Sequence, residues 1–351
     1  MAVQDTRLPV TLITGFLGSG KTTLLNGWLR DPALADAAVI VNEFGEIGID
    51  HALIASSNDN TIELSTGCLC CTVRGDLVDT LRELTEKRSR GEVPPFSRIL
   101  IETTGLADPG TIIQALMTFP VARSYRLSRV ITTIDGVQGL RTLDRHREAL
   151  KQAVVADSLI ITKVDLLPQG HQELTARLRS LNPGATHYTS EQAARPGTFL
   201  LNGVDIYDPA TRPEQVSQWL RVEPRPDHGG HASLQRNDVN RHASDIGSFH
   251  LSFDQPLHWE HVAAWLDALV LAHGDQLLRV KGILDVAGRS RPIIVQAVQH
   301  LFHPPAELAA WPAGERQSRI VFITQGLSRQ FVMAVLDTIR LRAPGDVPVD
   351  A

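Results

Sequence analysis

The chain has 351 residues, 43% hydrophobic and 21% charged, with a formal net charge of −5 and three cysteines. That length suits two domains, and the composition is that of an ordinary soluble globular protein with a sizeable core. The mild acidity, with no basic stretch interleaved with aromatics, argues against nucleic acid as a partner, and Glu86-Lys87-Arg88-Ser89-Arg90 reads as a solvated helix end. No apolar run approaches membrane-span length, and residues 1–7 lack the apolar segment of a signal peptide, so a cytoplasmic location is expected. There, a tight cysteine cluster points to metal binding or redox chemistry rather than to structural disulfides.

From residue 8 to residue 204 short β-rich runs alternate with helical stretches. The expected strands are Val10–Thr14, Ala38–Asn42, Thr61–Ser65, Arg98–Glu102, Arg129–Asp135 and Asp157–Thr162. Expected helices are Lys21–Arg30, Asp76–Arg88 and Gln172–Leu181, and Asp108 with Pro109 behind it marks a further helix start. The alternation predicts an α/β fold of P-loop NTPase type, a mostly parallel sheet with helices on both faces. Residues 205–247, rich in proline and polar residues, read as a flexible linker carrying His228, His231 and His242. Residues 248–345 read as a smaller α+β domain. Its expected strands are Phe249–Phe253, Leu277–Val286, Ile293–Val298 and Ile320–Thr324, its helices Trp259–Ala272 and Ser328–Leu341. His258, His261 and His273, in or beside the first of these helices, suit an ordinary partly buried role.

Three segments carry nucleotide chemistry. Gly15-Phe16-Leu17-Gly18-Ser19-Gly20-Lys21-Thr22, followed by Thr23, fits the phosphate-loop pattern between a strand and a helix. Its glycines let backbone N–H groups converge on phosphates, Lys21 should reach the β- and γ-phosphates, and Thr22 should ligate Mg²⁺. Glu102, at the end of the apolar strand before Thr103-Thr104-Gly105, can engage Mg²⁺ directly or through water, and the Gly105 N–H can contact the γ-phosphate. Thr162-Lys163-Val164-Asp165 is the third segment. Asp165 can accept hydrogen bonds from guanine N1–H and its 2-amino group, whereas adenine offers no donor at either position, so GTP is expected over ATP. Lys163 can pack its stem over the base. Leu106 and Ala107 follow Gly105, so the water-orienting glutamine of some GTPases is missing there, and slow intrinsic turnover is expected.

Cys68, Cys70 and Cys71 fall within four residues between these motifs. Their thiolates suit Zn²⁺, Co²⁺ or Cu(I), with a redox pair and simple packing as the alternatives. A closed structural zinc site normally takes four protein ligands, so the remainder must come from elsewhere or stay exchangeable. Glu46, in the segment Val41-Asn42-Glu43-Phe44-Gly45-Glu46, is the first choice, with Glu43 placed near Mg²⁺ or the catalytic water. A shared site of this kind would couple metal affinity to nucleotide state.

The combination of Gly15–Thr23, Asn42–Glu46, Cys68-Leu69-Cys70-Cys71, Glu102–Gly105 and Thr162–Asp165 strongly resembles the CobW-like metallochaperone GTPases, and Leu278-Arg279-Val280-Lys281-Gly282 is similar to that family's second domain. The resemblance implies GTP-dependent delivery of a metal, zinc first, to a client apo-metalloprotein, with the Cys-x-Cys-Cys motif as the metal site. Lys21, Glu43 and Glu102 are then the expected catalytic residues. A cobalt chaperone for cobalamin synthesis, a nitrile hydratase activator, or a metal-sensing GTP switch stand beside this reading, and a homodimer is compatible with it. Some relatives carry a carboxylate immediately before the Asn-Glu pair, where this chain has Val41.

Overall fold

The computed structural model describes residues 6–41, 61–63, 73–167, 169–196, 200, 246–308, 310–312 and 316–342. Glu43, Glu46, Cys68, Cys70, Cys71, His228, His231 and His242 lie outside the described residues.

The first unit runs β1 (Leu8–Gly15), α1 (Lys21–Leu29), β2 (Ala37–Val41), β3 (Thr61–Glu63), α2 (Val73–Arg90), β4 (Arg98–Glu102), α3 (Pro109–Met117), β5 (Tyr125–Asp135), α4 (Gly139–Arg145), α5 (Arg147–Val155), β6 (Ser158–Thr162), α6 (Gln172–Leu181) and β7 (Thr186–Thr189). Its strands form one parallel sheet in the order β3-β2-β4-β1-β5-β6-β7. Alternating side chains explain the layering. Val10 and Leu12 of β1 pack with α2 and α3 on one face, while Ile13 packs with Leu24, Leu25 and Trp28 of α1 on the other. Farther along the sheet, Leu159 and Ile161 of β6 pack with Leu150, Ala153, Leu174 and Leu178 of α5 and α6. Helices therefore cover both faces, as the sequence predicts.

The second unit comprises β8 (Ile246–Phe253), α7 (Trp259–His273), β9 (Leu277–Leu284), β10 (Ile293–Val298), β11 (Leu301–Phe302), β12 (Ala306–Glu307), β13 (Ser318–Gln325) and α8 (Arg329–Arg342). Its antiparallel sheet has the order β11-β10-β9-β13-β8, with β12 beside β10. Trp265, Leu266 and Leu269 of α7 and Val332 and Leu336 of α8 pack on Val280, Val295, Ile320 and Phe322. The opposite side meets the first unit, where Leu278 and Ile323 pack on Val154 of α5.

Most boundaries move by one to three residues from expectation. β5 extends back to Tyr125, and β8 begins at Ile246, inside the expected linker. Helices α4 and α5 and strand β7 add to the expected elements; His146, which separates α4 from α5, provides no side-chain cap. His258 is exposed rather than partly buried, because it is the cap residue of α7 and projects ahead of the packed turn.

Candidate functional site

The site forms at the C-terminal ends of β1, β4, β5 and β6, where a parallel sheet delivers its loops to one edge. The turn from β1 to α1 needs its glycines. Gly15 has φ 141°, and a Cβ there would lie 2.5 Å from the Thr133 carbonyl oxygen. Gly20, at φ 88°, caps α1 without any side-chain hydrogen bond, and no acidic residue stands in the first turn. The start of α1 therefore presents backbone N–H groups and the positive end of the helix dipole, the chemistry that binds phosphate.

Hydrogen bonds pin this loop from beneath. Ser19 Oγ and Thr133 Oγ1 lie 2.6 Å apart, and Thr162 Oγ1 donates to the Ser19 carbonyl at 2.8 Å. Lys21 is buried, and its Nζ donates to the Phe16 carbonyl at 3.3 Å, which keeps the cation curled over the loop. Thr22 Oγ1 donates to Glu102 Oε1 at 2.6 Å. That contact joins the loop to β4 and brings two hard oxygen donors together, a set that suits Mg²⁺.

Beyond β4 the chain passes close under the loop. Thr103 N–H donates to the Ile13 carbonyl at 2.9 Å, and a Cβ on Gly105 would stand 2.6 Å from the Leu17 nitrogen. Only glycine allows that approach. Leu17 and Leu106 are both more than half exposed here. Asp108 then caps α3, accepting from Gly110 N–H at 2.9 Å.

On the β6 side, Lys163 adopts φ 54° and its Nζ lies 2.5 Å from Asp135 Oδ2. Burial alone would raise the Asp135 carboxyl. The Lys163 ammonium and the N–H groups of Gln138 and Val137 outweigh it and hold the group below the usual carboxylate range. Asp165 follows in a short 3-10 turn and is exposed. A cavity of about 330 Å³ opens alongside, lined by Phe16, Ser19, Asp135, Gln138, Gln152 and Lys163 among others. His146 stacks on Phe16 at its rim, with ring centroids 4.4 Å apart.

The structure thus gathers Gly15, Gly18, Ser19, Gly20, Lys21, Thr22, Glu102, Gly105, Thr162 and Lys163 around one loop. Glu43, Glu46 and the three cysteines fall outside the described residues. Among the described residues no group of three metal-ligating side chains is assembled, and no helix is long and apolar enough to cross a membrane. Sequence reasoning missed Asp135 and Gln152. Asp135 could have been found, since it ends an apolar strand as Glu102 does; Gln152 has no comparable mark.

The model of the CobW/HypB/UreG nucleotide-binding domain family matches residues 9–189, and that of the cobalamin synthesis protein cobW C-terminal domain matches residues 246–340. The zinc chaperone YjiA of Escherichia coli is 31% identical over 334 residues, covering 95% of this chain and 99% of that protein. The zinc chaperone CobW of Pseudomonas aeruginosa is 30% identical, with 95% and 91% covered. The zinc-regulated GTPase metalloprotein activator 1 of Saccharomyces cerevisiae is 26% identical, with 95% and 83% covered. The crystal structure of the Zn(II)-bound YjiA GTPase aligns over 95% of this chain and 99% of that one, with a TM-score of 0.68 and 28% identity.

Proposed function

The chain belongs to the CobW family of nucleotide-binding proteins, and from that premise we propose that it is a GTP-hydrolysing metallochaperone delivering zinc to a client apo-metalloprotein in the cytoplasm. The observation that carries the reading is the Thr22–Glu102 contact at the uncapped start of α1. It brings a hydroxyl and a carboxylate to the place where the loop's N–H groups would hold a triphosphate. Thr22 and Glu102 would hold Mg²⁺, which offsets the charge of the phosphate oxygens. Lys21 would neutralise the β- and γ-phosphates, and the Gly105 N–H, in the segment packed against the loop, would contact the γ-phosphate. Asp165 would read guanine through two accepted hydrogen bonds, and Lys163, oriented by Asp135, would lie over the base.

Water would attack the γ-phosphorus, giving GDP and inorganic phosphate. Leu106, 52% exposed, occupies the position after Gly105, so no side chain there orients that water and intrinsic turnover is slow. Cys68, Cys70, Cys71 and Glu46 would hold the zinc ion as cargo. Loss of the γ-phosphate would relax the segment after Glu102 and the segment containing Glu43 and Glu46, changing the hold on that ion.

A direct test is metal transfer to an apo-client, measured with GTP and with a non-hydrolysable analogue. Transfer with GTP alone supports the chaperone; binding of both ligands without transfer would leave a metal-sensing switch. Serine at positions 68, 70 and 71 should abolish tight zinc binding and spare GTP binding, and retention of tight zinc would refute the cysteine site.

A further inference from the structure

Helix α5 lies between the nucleotide loops and the second sheet, and contacts from its middle and from its C-terminal end tie it to both. Gln152 is 1% exposed, and its Nε2 donates to the Gly105 carbonyl at 3.0 Å and to the Ala107 carbonyl at 3.2 Å. Its backbone carbonyl accepts from Thr132 Oγ1 at 2.7 Å, tying the helix to β5. Lys151 Nζ lies 2.5 Å from Asp108 Oδ2. One turn on, the Val155 carbonyl accepts from Arg279 of β9, and Arg279 also pairs with Asp157 just past the helix. A second contact from the same sheet reaches the turn directly. Gln299, held at φ 50°, donates to Asp108 Oδ1 at 3.5 Å, and its amide sits where a Cβ on Gly110 would be.

Thr103 is held by Ile13, and the carbonyls of Gly105 and Ala107 are held by Gln152. The carbonyl of the peptide that carries the Gly105 N–H, that of Thr104, accepts from Ala107 N–H at 3.1 Å, so the bonds from Gln152 to the Gly105 and Ala107 carbonyls steady that N–H at one remove. We propose that Gln152 is the positioning residue for the turn that meets the γ-phosphate, and that Arg279 of the second sheet fixes the helix from which it acts. This rests on the reading of Gly105 as the γ-phosphate contact. In consequence the C-terminal unit sets how well the active site distinguishes GTP from GDP, and a client that pulls on that unit would alter the distinction.

The experiment compares affinity for GDP and for a non-hydrolysable GTP analogue, together with kcat and KM, in full-length Gln152→Leu, Gln152→Asn and Arg279→Lys proteins, and follows the Gly105 amide resonance of the wild type in both complexes. Asparagine is too short to bridge both carbonyls and serves if the leucine variant misfolds. Gln152→Leu should weaken the analogue about tenfold, the equivalent of one lost hydrogen-bonding group, with GDP affinity held within about twofold and kcat lowered. Arg279→Lys keeps the charge but cannot serve both acceptors, and should show a smaller loss of the same kind. Equal weakening of GDP and analogue in the Gln152 variants, or no change in either, overturns the positioning role. Wild-type discrimination in Arg279→Lys overturns the part assigned to the second sheet. If the wild-type Gly105 amide resonance is the same with GDP and with the analogue, the γ-phosphate reading falls, and this inference with it.

Discussion

Asp157 and Arg279 meet across the seam between the two sheets, the arginine side chain 1% and the aspartate side chain 9% exposed, with Lys281 Nζ a further 3.2 Å from the same carboxylate oxygen. Asp157 Oδ2 also accepts from Val130 N–H at 2.9 Å. Burial would raise this carboxyl, but the Arg279 and Lys281 charges and that N–H outweigh it and hold it below its ordinary range. One carboxylate thus faces two basic side chains inside the protein.

Replacing that anion should cost far more than a surface ion pair does. Asp157→Asn keeps the shape and leaves Arg279 and Lys281 facing each other in an enclosed space, so a loss of about 3–5 kcal/mol is expected. Urea unfolding followed by fluorescence measures it. A loss under ~1 kcal/mol would mean that water reaches the pair freely.

Acid should loosen the same seam. Burial, helped by the Arg279 charge, pushes His303 down to about 3 from its ordinary 6.5. An unfolded histidine takes up a proton near 6.5 while the folded one does not, so the unfolded state binds more protons between these values. Stability therefore falls as pH drops from 6.5 towards 3. His187, held by burial at about 4, adds in the same direction over the upper part of the window. Lys281, drawn by burial and by Arg279 down to about 7 from 10.5, makes stability rise with pH between those values. Urea midpoints at pH 7 and pH 5 should differ, and His303→Leu should flatten the slope; an unchanged slope removes His303 as the cause.

The Thr22–Glu102 contact makes a separate prediction for chemistry. Glu102→Gln should lower kcat by about 10²–10³, the usual scale for losing one charge stabiliser, and weaken the dependence on Mg²⁺. GDP binding measured without Mg²⁺ should be nearly unchanged. Equal damage with and without the ion would assign Glu102 a structural role.

Base selection is testable at Asp165, whose exposure leaves it accessible to a ligand. Asp165→Asn loses a charged acceptor worth about 1.5–3 kcal/mol, so guanine affinity should fall roughly 10- to 150-fold while xanthine nucleotides gain. Competition binding with GTP, XTP and ATP would show the change in preference, and an unaltered order would place the base elsewhere.

Much of the first sheet was legible because each strand bears its own local signal. The runs at Leu8–Gly15 and Arg98–Glu102 are apolar, short and followed by chemistry-bearing turns, and α6 was readable to both its ends. Helix α5 was not, since neither a glycine nor a proline separates it from α4 and His146 gives no capping bond. Gln152 was hidden for a different reason: one glutamine among apolar neighbours looks like any surface position until the fold turns it inward. The Asp157–Arg279 pair joins residues 122 apart in sequence, and nothing local to either one announces the other. The cysteine cluster stood out through spacing alone, a signal independent of where the chain folds it.

The α5 seam bears on any attempt to trim the protein. A fragment ending before Ile246 would keep every nucleotide motif, yet it would strip the lid from Val154 and expose the Asp157 carboxylate without its guanidinium. Such a minimal GTPase would carry a sticky apolar spot beside an orphaned charge, and should be recovered as aggregate rather than as a working half.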